Sequence, residues 1–262
     1  MPVTHISITW SQFGNSSTAK FGGKAKNLAE LTQAGFPVPT AVGVSTEAFA
    51  HYQRTGQIDS SLVRELERIR KSMGGKVAVR SSATCEDSRD LSMAGVFETF
   101  YLQSPDQSVE EALRAIYEQA QSQQVQEYLS LHQNGESQVE MAVVLQKLIE
   151  PDISGVIYTD VDGEGILIQY AAGFGDQIVD GITEGSTLIY SSTQRKITKS
   201  KNTDLASIPE RQVEELSELT LQIKQSFDNF PQDIEFAIQD GRLYILQART
   251  LTTEVNGVNL EM

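Results

Sequence analysis

Four polar side chains near the end of the chain, Asp233, Glu235, Gln247 and Arg249, alternate with apolar neighbours in the stretch DIEFAIQDGRLYILQAR. Two carboxylates, an amide oxygen and a guanidinium suit a hard divalent cation and the phosphate oxygens that share it. Whether the four meet depends on hairpin register, because side chains change face with every residue. A two-residue turn at Asp240–Gly241 puts Glu235 on the face of Leu246 and Ile234 on that of Gln247. An odd-length turn, with Gly241 left-handed, gathers all four polar residues on one face. Ile234, Phe236, Tyr244 and Leu246 then form the apolar back. The second register separates polar from apolar better and is the one expected. The competing reading is an edge hairpin with a solvated salt bridge.

Two cations stand out earlier in the chain. Lys24 follows Gly22–Gly23 at the mouth of a helix, where free backbone N–H groups and the helix dipole favour an anion. This is not a Walker A loop, since Thr18 takes the place of its first glycine and Ala25 follows the lysine. The plainer alternative is a solvated lysine beside a helix end. In VAVRSSATCEDSRDLSMAGVFETFYL, Arg80 closes an apolar strand, where an unpaired charge is costly. Ser81, Ser82 and Thr84, with the backbone around Gly95, are candidates to wrap a phosphate chain. Alternatively, Arg80 pairs with Glu86 or Asp87.

The elements that must position these groups are legible from periodicity. A helix carries Ala25, Leu28 and Leu31 inward and stops at Gly35, with Pro37 and Pro39 beyond. A second runs from Ser45 or Thr46 to before Gly56. A third starts near Ser60, faces the core with Leu62, Leu66, Ile69 and Met73, and ends at Gly74–Gly75. Val77 to Val79 and Val96 to Leu102 read as strands. The capping box Ser108…Glu111 opens a helix that buries Leu113, Ile116, Tyr117 and Ala120. The turn-rich LHQNGESQ marks an expected boundary between lobes 1–135 and 136–262. Beyond it, VEMAVVLQKLI, SGVIYT, GILIQYAAG and STLIY read as strands, and a helix spans Pro209 to Phe227. The class expected is α+β.

Composition narrows the function. With 35 acidic against 21 basic residues, the net charge is −14, which disfavours nucleic acid and anionic membranes as partners. An anionic ligand then needs cations gathered at one place. No apolar run approaches the roughly 20 residues that span a bilayer, and MPVTHISITW does not read as a secretory signal. The single cysteine, Cys85, permits no intramolecular disulfide and suits a reducing cytoplasm; within its loop it reads as a small filler. DVDGEG is read as a hairpin turn and not a calcium loop, because the twelfth position is Ala171. RKITKSK is a basic run read as a solvated strand end, with docking of an acidic partner as the alternative.

FGGKAKNLAEL, VAVRSSATCEDSRDLSMAGVFETF, VLQKLIEPDISGVIYT, AAGFGDQIVDG and DIEFAIQDGRLYILQAR occur in that order. Together they resemble the nucleotide-binding domain of the phosphoenolpyruvate synthase and pyruvate, phosphate dikinase family, to which rifamycin phosphotransferase is related. The resemblance runs from about Phe21 to Thr252. It implies an ATP-grasp fold, with two α+β lobes that close on Mg-ATP. It also implies that Lys24 and Arg80 contact the phosphates and that the loop from Ser81 through Gly95 to Thr99 folds over them. Gln146, Lys147 and Leu148 are implied to hydrogen-bond adenine through their backbone. Glu235 and Gln247 would hold Mg²⁺, with Asp233 and Arg249 at the transferring phosphates. Asp176 stands where the family usually has glutamate.

The family's phosphate-carrying histidine has no counterpart here, since His5, His51 and His132 lie in no matching setting. The expectation is therefore an ATP-dependent phosphotransferase module that passes a phosphoryl group to a separate phosphohistidine-domain protein or a small-molecule acceptor. A non-catalytic nucleotide-binding module is the alternative.

Overall fold

The computed structural model describes residues 7–9, 18–84, 87–88, 91–92, 97–125, 127, 140–161, 165–174, 185–201 and 207–251. The chain forms two compact units, one of Met1–Gln33 with Pro39–Leu148 and one of Ala34–Val38 with Ile149–Met262.

The first unit is built on strands β1 (Ser7–Thr9), β2 (Ala41–Val44), β3 (Val77–Ala83), β6 (Thr99–Leu102) and β7 (Met141–Lys147). They form an antiparallel sheet in the order β1-β2-β7-β3-β6. The short β4 (Asp87–Ser88) and β5 (Leu91–Ser92) pair separately. Helices α1 (Thr18–Gln33), α2 (Thr46–Thr55), α3 (Ser60–Ser72) and α4 (Val109–Ala120) complete it.

Val77, Val79, Val143 and Leu145 point to one side of this sheet and share a core with Phe49, Leu62, Leu66, Leu113 and Tyr117 from α2, α3 and α4. Helix α1 packs on β3 and β7 with its own buried Ala25, Leu28 and Leu31. It reaches the other face of the sheet, where the Ser82 side chain meets it.

Local chemistry starts these helices where the sequence places them. Asp59 accepts from the Ser61 amide at 2.7 Å, and Ser108 accepts from that of Glu110 at 3.1 Å; caps of this kind contribute about 1 kcal/mol each. One position departs from the expected face of α3. Arg70 is buried, while Ile69 is only partly so. Its guanidinium donates to the carbonyls of Gly75, Ser104 and Gln107 at 2.6–2.8 Å. It thereby ties the end of α3 to the loop before α4, and its charge is met by three carbonyl dipoles and by Glu67 at 3.6 Å.

The unit boundary falls at Leu148–Ile149 and not at 135/136. The reason is topological: β7 sits in the middle of the first sheet, between β2 and β3, so the segment after the turn-rich stretch still belongs to the first unit.

The second unit holds β8 (Ile153–Val161), β9 (Gly165–Ala172), β10 (Ser186–Ser191), β11 (Lys196–Lys201), helix α5 (Glu210–Ser226), β12 (Gln232–Gln239) and β13 (Arg242–Thr250). Its strands form one antiparallel sheet in the order β11-β10-β9-β8-β12-β13, and α5 packs against β8. Two unlike α+β units, each with its own antiparallel sheet, are the class expected.

The closing hairpin resolves the register question in an unexpected way. Gln239 pairs with Arg242, so the turn is the two-residue Asp240–Gly241, with φ of 51° and 73°. Both residues are left-handed, as a hairpin turn matching strand twist requires. The expected odd-length turn is therefore wrong. A β-bulge supplies the odd residue instead. Phe236 pairs with Ile245 and Glu235 with Gln247, which leaves Leu246 as the extra residue. The apolar side changes accordingly: Ile234, Phe236 and Ile238 lie with Leu243, Ile245 and Ala248, all buried, and not with Tyr244 and Leu246.

Candidate functional site

In the first unit the local geometry begins at Gly22, whose φ of 76° and ψ of 173° break α1, so that Lys24 sits in the first turn of the helix that restarts. Only glycine fits there, because a Cβ would lie 2.0 Å from the Ser82 carbonyl oxygen. The Ser82 hydroxyl fills the break. It donates to the Phe21 carbonyl at 2.7 Å and accepts from the Ala25 amide at 3.1 Å. Ser82 is thus reassigned from phosphate ligand to structural clip, since its hydroxyl is used in holding helix to strand.

Lys24 turns inward and not to solvent. Its Nζ donates to the Ser81 carbonyl at 2.9 Å, and only 7% of the residue is exposed. Arg80, one residue earlier on β3, is likewise buried at 8% exposure, and its Nη1 lies 3.4 Å from Gln146 Oε1. Two buried cations are thereby attached to the same strand end. Burying both is costly, and an anion beside them offsets the cost.

Thr84 is half-buried and its amide donates to the Glu140 carbonyl at 3.0 Å; Thr99 pairs with Arg80 in the β-ladder. The N–H groups of Lys147 and Leu148 donate to the carbonyls of Thr40 and Lys76 at 2.7 and 3.1 Å. Both amides are thus engaged by the protein's own carbonyls. Gln146 is buried and contributes its side chain to Arg80. Gly95, Asp176, Cys85 and Glu86 lie outside the described residues.

In the second unit the bulge at Leu246 lets the four polar residues share one face. Arg249 is opposite Asp233 and Gln247 opposite Glu235. The pairings continue across the sheet: Asp233 faces Tyr158, then Leu167 and Ile189, while Glu235 faces Val156, then Gln169 and Thr187. Arg249 donates through Nε to Asp233 Oδ2 at 2.7 Å and through Nη2 to the same oxygen. Asp233 and Gln247 are buried, while Glu235 is half-exposed.

Burial pushes the Asp233 carboxyl above the ordinary carboxylate range against the pull of Arg249, and the negative charge of Glu235 adds to the rise. Burial likewise raises the Tyr158 phenol, reinforced by the charge of Asp233. Tyr158 is a site neighbour that sequence reasoning missed. Alternation in SGVIYT places Ser154, Val156 and Tyr158 on one face, but only the pairing of β8 with β12 shows that this face carries the carboxylates.

The donors fit a magnesium ion. Glu235 and Gln247 offer hard oxygens from directly opposed positions, with the buried carboxyl of Asp233 on the same face. Among the described residues no group of three or more His, Cys, Asp or Glu side chains converges.

Residues 57–260 match the family model described as pyruvate phosphate dikinase, AMP/ATP-binding domain. Lys24 lies before that segment. An uncharacterized phosphotransferase of Bacillus subtilis, YvkC, is 28% identical over 88% of this chain and 33% of its own length. A probable phosphoenolpyruvate synthase of Archaeoglobus fulgidus is 29% identical over 88% of this chain and 40% of its own length. A rifampicin phosphotransferase of Bacillus cereus is 26% identical over 67% of this chain and 23% of its own length. The chain thus spans between about a quarter and two fifths of the length of these relatives. D-alanine–D-alanine ligase from Bacillus anthracis superimposes with a TM-score of 0.44 at 10% identity, over 87% of this chain and 56% of that one, a likeness too loose to carry an argument. The family match covers more than half of the chain. The chain belongs to the pyruvate phosphate dikinase AMP/ATP-binding domain family.

Proposed function

We propose that this chain binds Mg-ATP and transfers a phosphoryl group from it, either to a histidine on a separate protein domain or to a small-molecule acceptor, in a reducing cytoplasm. The observation that carries the reading is the opposed pair Glu235–Gln247 beside Asp233–Arg249 on one sheet face, with the hairpin bulge setting their alignment. The relatives, a phosphoenolpyruvate synthase and phosphotransferases by name, support the same class of chemistry.

Phosphoryl transfer asks a protein chiefly to position reactants and to neutralise charge. Lys24 and Arg80 hold phosphate oxygens, and their anchorage to β3 fixes where those oxygens sit. Glu235 and Gln247 would hold the metal, which would supply Lewis-acid polarisation of the phosphate oxygens. Asp233 orients the Arg249 fork through two hydrogen bonds, so that guanidinium is set to meet charge developing on the transferring group.

The test is product analysis. The protein is incubated with Mg-ATP and undesalted cell extract, and the nucleotides are resolved by chromatography, with Glu235→Ala as the blank. AMP formed only by the intact protein supports dikinase-type transfer to a histidine partner, and ADP supports direct transfer to a small molecule. Absence of turnover, in an extract shown to contain acceptors, would reassign the chain as a nucleotide-binding module.

A further inference from the structure

The basic run that opens at Arg195 becomes β11, the open edge of the second sheet, and its lysines are not scattered. Lys199 pairs with Ile189, Lys201 with Thr187 and Lys196 with Ser191. In a regular strand Lys196 would face away from Lys199 and Lys201, because their numbers differ in parity. A β-bulge between Ile189 and Tyr190, with Thr198 as the extra residue, turns all three to the same side. Thr198 holds it by donating its hydroxyl to the Ile189 carbonyl at 3.2 Å.

That side is the metal-site face. The rows Lys199–Ile189–Leu167–Tyr158–Asp233–Arg249 and Lys201–Thr187–Gln169–Val156–Glu235–Gln247 run unbroken across all six strands. The lysines stand four strand spacings from β12, about 19 Å. Lys196, Lys199 and Lys201 are exposed, and none is in an ion pair among the described residues, whereas neighbouring Arg195 is held by Glu218.

Lysines often guard a strand edge against pairing with other chains. Guarding needs charge on the edge but no common face, so it does not account for the alignment. The lysines also span about 13 Å along the strand, longer than one small anion can use. In a chain of net charge −14, three aligned lysines give an acidic surface a local foothold. We propose that β11 is a docking strip for an acidic protein surface, the one that presents the phosphoryl acceptor to the metal-site face. The acceptor role rests on the function proposed above; the acidic-surface recognition does not.

The probe is a fluorescent deca-glutamate peptide, followed by anisotropy at low and at physiological salt. Wild type is compared with Lys196→Glu/Lys199→Glu/Lys201→Glu, which keeps a charged, guarded edge. An exposed control of equal charge change is Arg64→Glu/Arg68→Glu/Lys71→Glu on α3. The expected result is salt-sensitive binding that weakens about tenfold in the β11 variant and markedly less in the α3 variant. Equal loss in both variants, no binding by wild type, or displacement of the peptide by low-millimolar inorganic phosphate would each overturn the docking strip. Mg-ATP binding, titrated on the same samples, stays at its wild-type value in the β11 variant if the strip serves the partner alone; a parallel loss of nucleotide binding would overturn that separation. Failure of wild type to bind Mg-ATP would instead sink the proposed function and leave the peptide result standing.

Discussion

Lys24 shows what a single side chain adds at the residue scale. Its position after two glycines is readable from sequence, but its inward turn onto the Ser81 carbonyl is not, because that contact joins residues 57 apart. On the proposed function, Lys24→Met removes a charge-assisted phosphate contact, and it takes the Nζ donor from the Ser81 carbonyl. We expect ATP affinity to fall about tenfold, with a stability loss of about 1–2 kcal/mol; titration calorimetry and urea denaturation read the two effects separately. Unchanged ATP affinity would remove Lys24 from the site. Ser82 is the opposite case. Its neighbours advertise a phosphate loop, yet its hydroxyl is fully used between Phe21 and Ala25, and composition alone could not reveal that commitment.

Gly22 and the bulges carry the argument at the scale of elements. Gly22→Ala would force a side chain into a left-handed backbone and against the Ser82 carbonyl, so we expect a loss of about 3 kcal/mol in urea unfolding. A near-neutral result would mean that the helix break can move. Arg70→Met tests a different joint: three carbonyls lose their donor, with an expected cost of about 3 kcal/mol, measured in the same way. Helix starts and core faces were legible because caps and 3.6-residue periodicity are local. In the hairpin, polarity showed correctly that Asp233, Glu235, Gln247 and Arg249 share a face. It could not show that the odd residue sits in β13 and not in the turn, because either arrangement satisfies the parity between Glu235 and Gln247. The apolar partners were misassigned for that reason. The same limit hid the alignment of Lys196 with Lys199 and Lys201.

On the scale of the whole molecule, the division at Leu148–Ile149 was missed because LHQNGESQ looks like a boundary while β7, beyond it, returns to the middle of the first sheet. Long-range strand pairing leaves little trace in local sequence. Net charge sets the second constraint. A chain at −14 binds an anion only where cations are gathered or a metal intervenes, and under the proposed function the nucleotide meets both. Titration calorimetry with ATP, in Mg²⁺ and in EDTA, on wild type and Glu235→Gln is therefore the most direct test. We predict that Mg²⁺ strengthens ATP binding to wild type, that Glu235→Gln loses at least about tenfold of affinity in Mg²⁺, and that the two proteins match in EDTA. Equal affinity of the two proteins in Mg²⁺ would contradict the assignment of Glu235 to the metal and, with it, the account of the site.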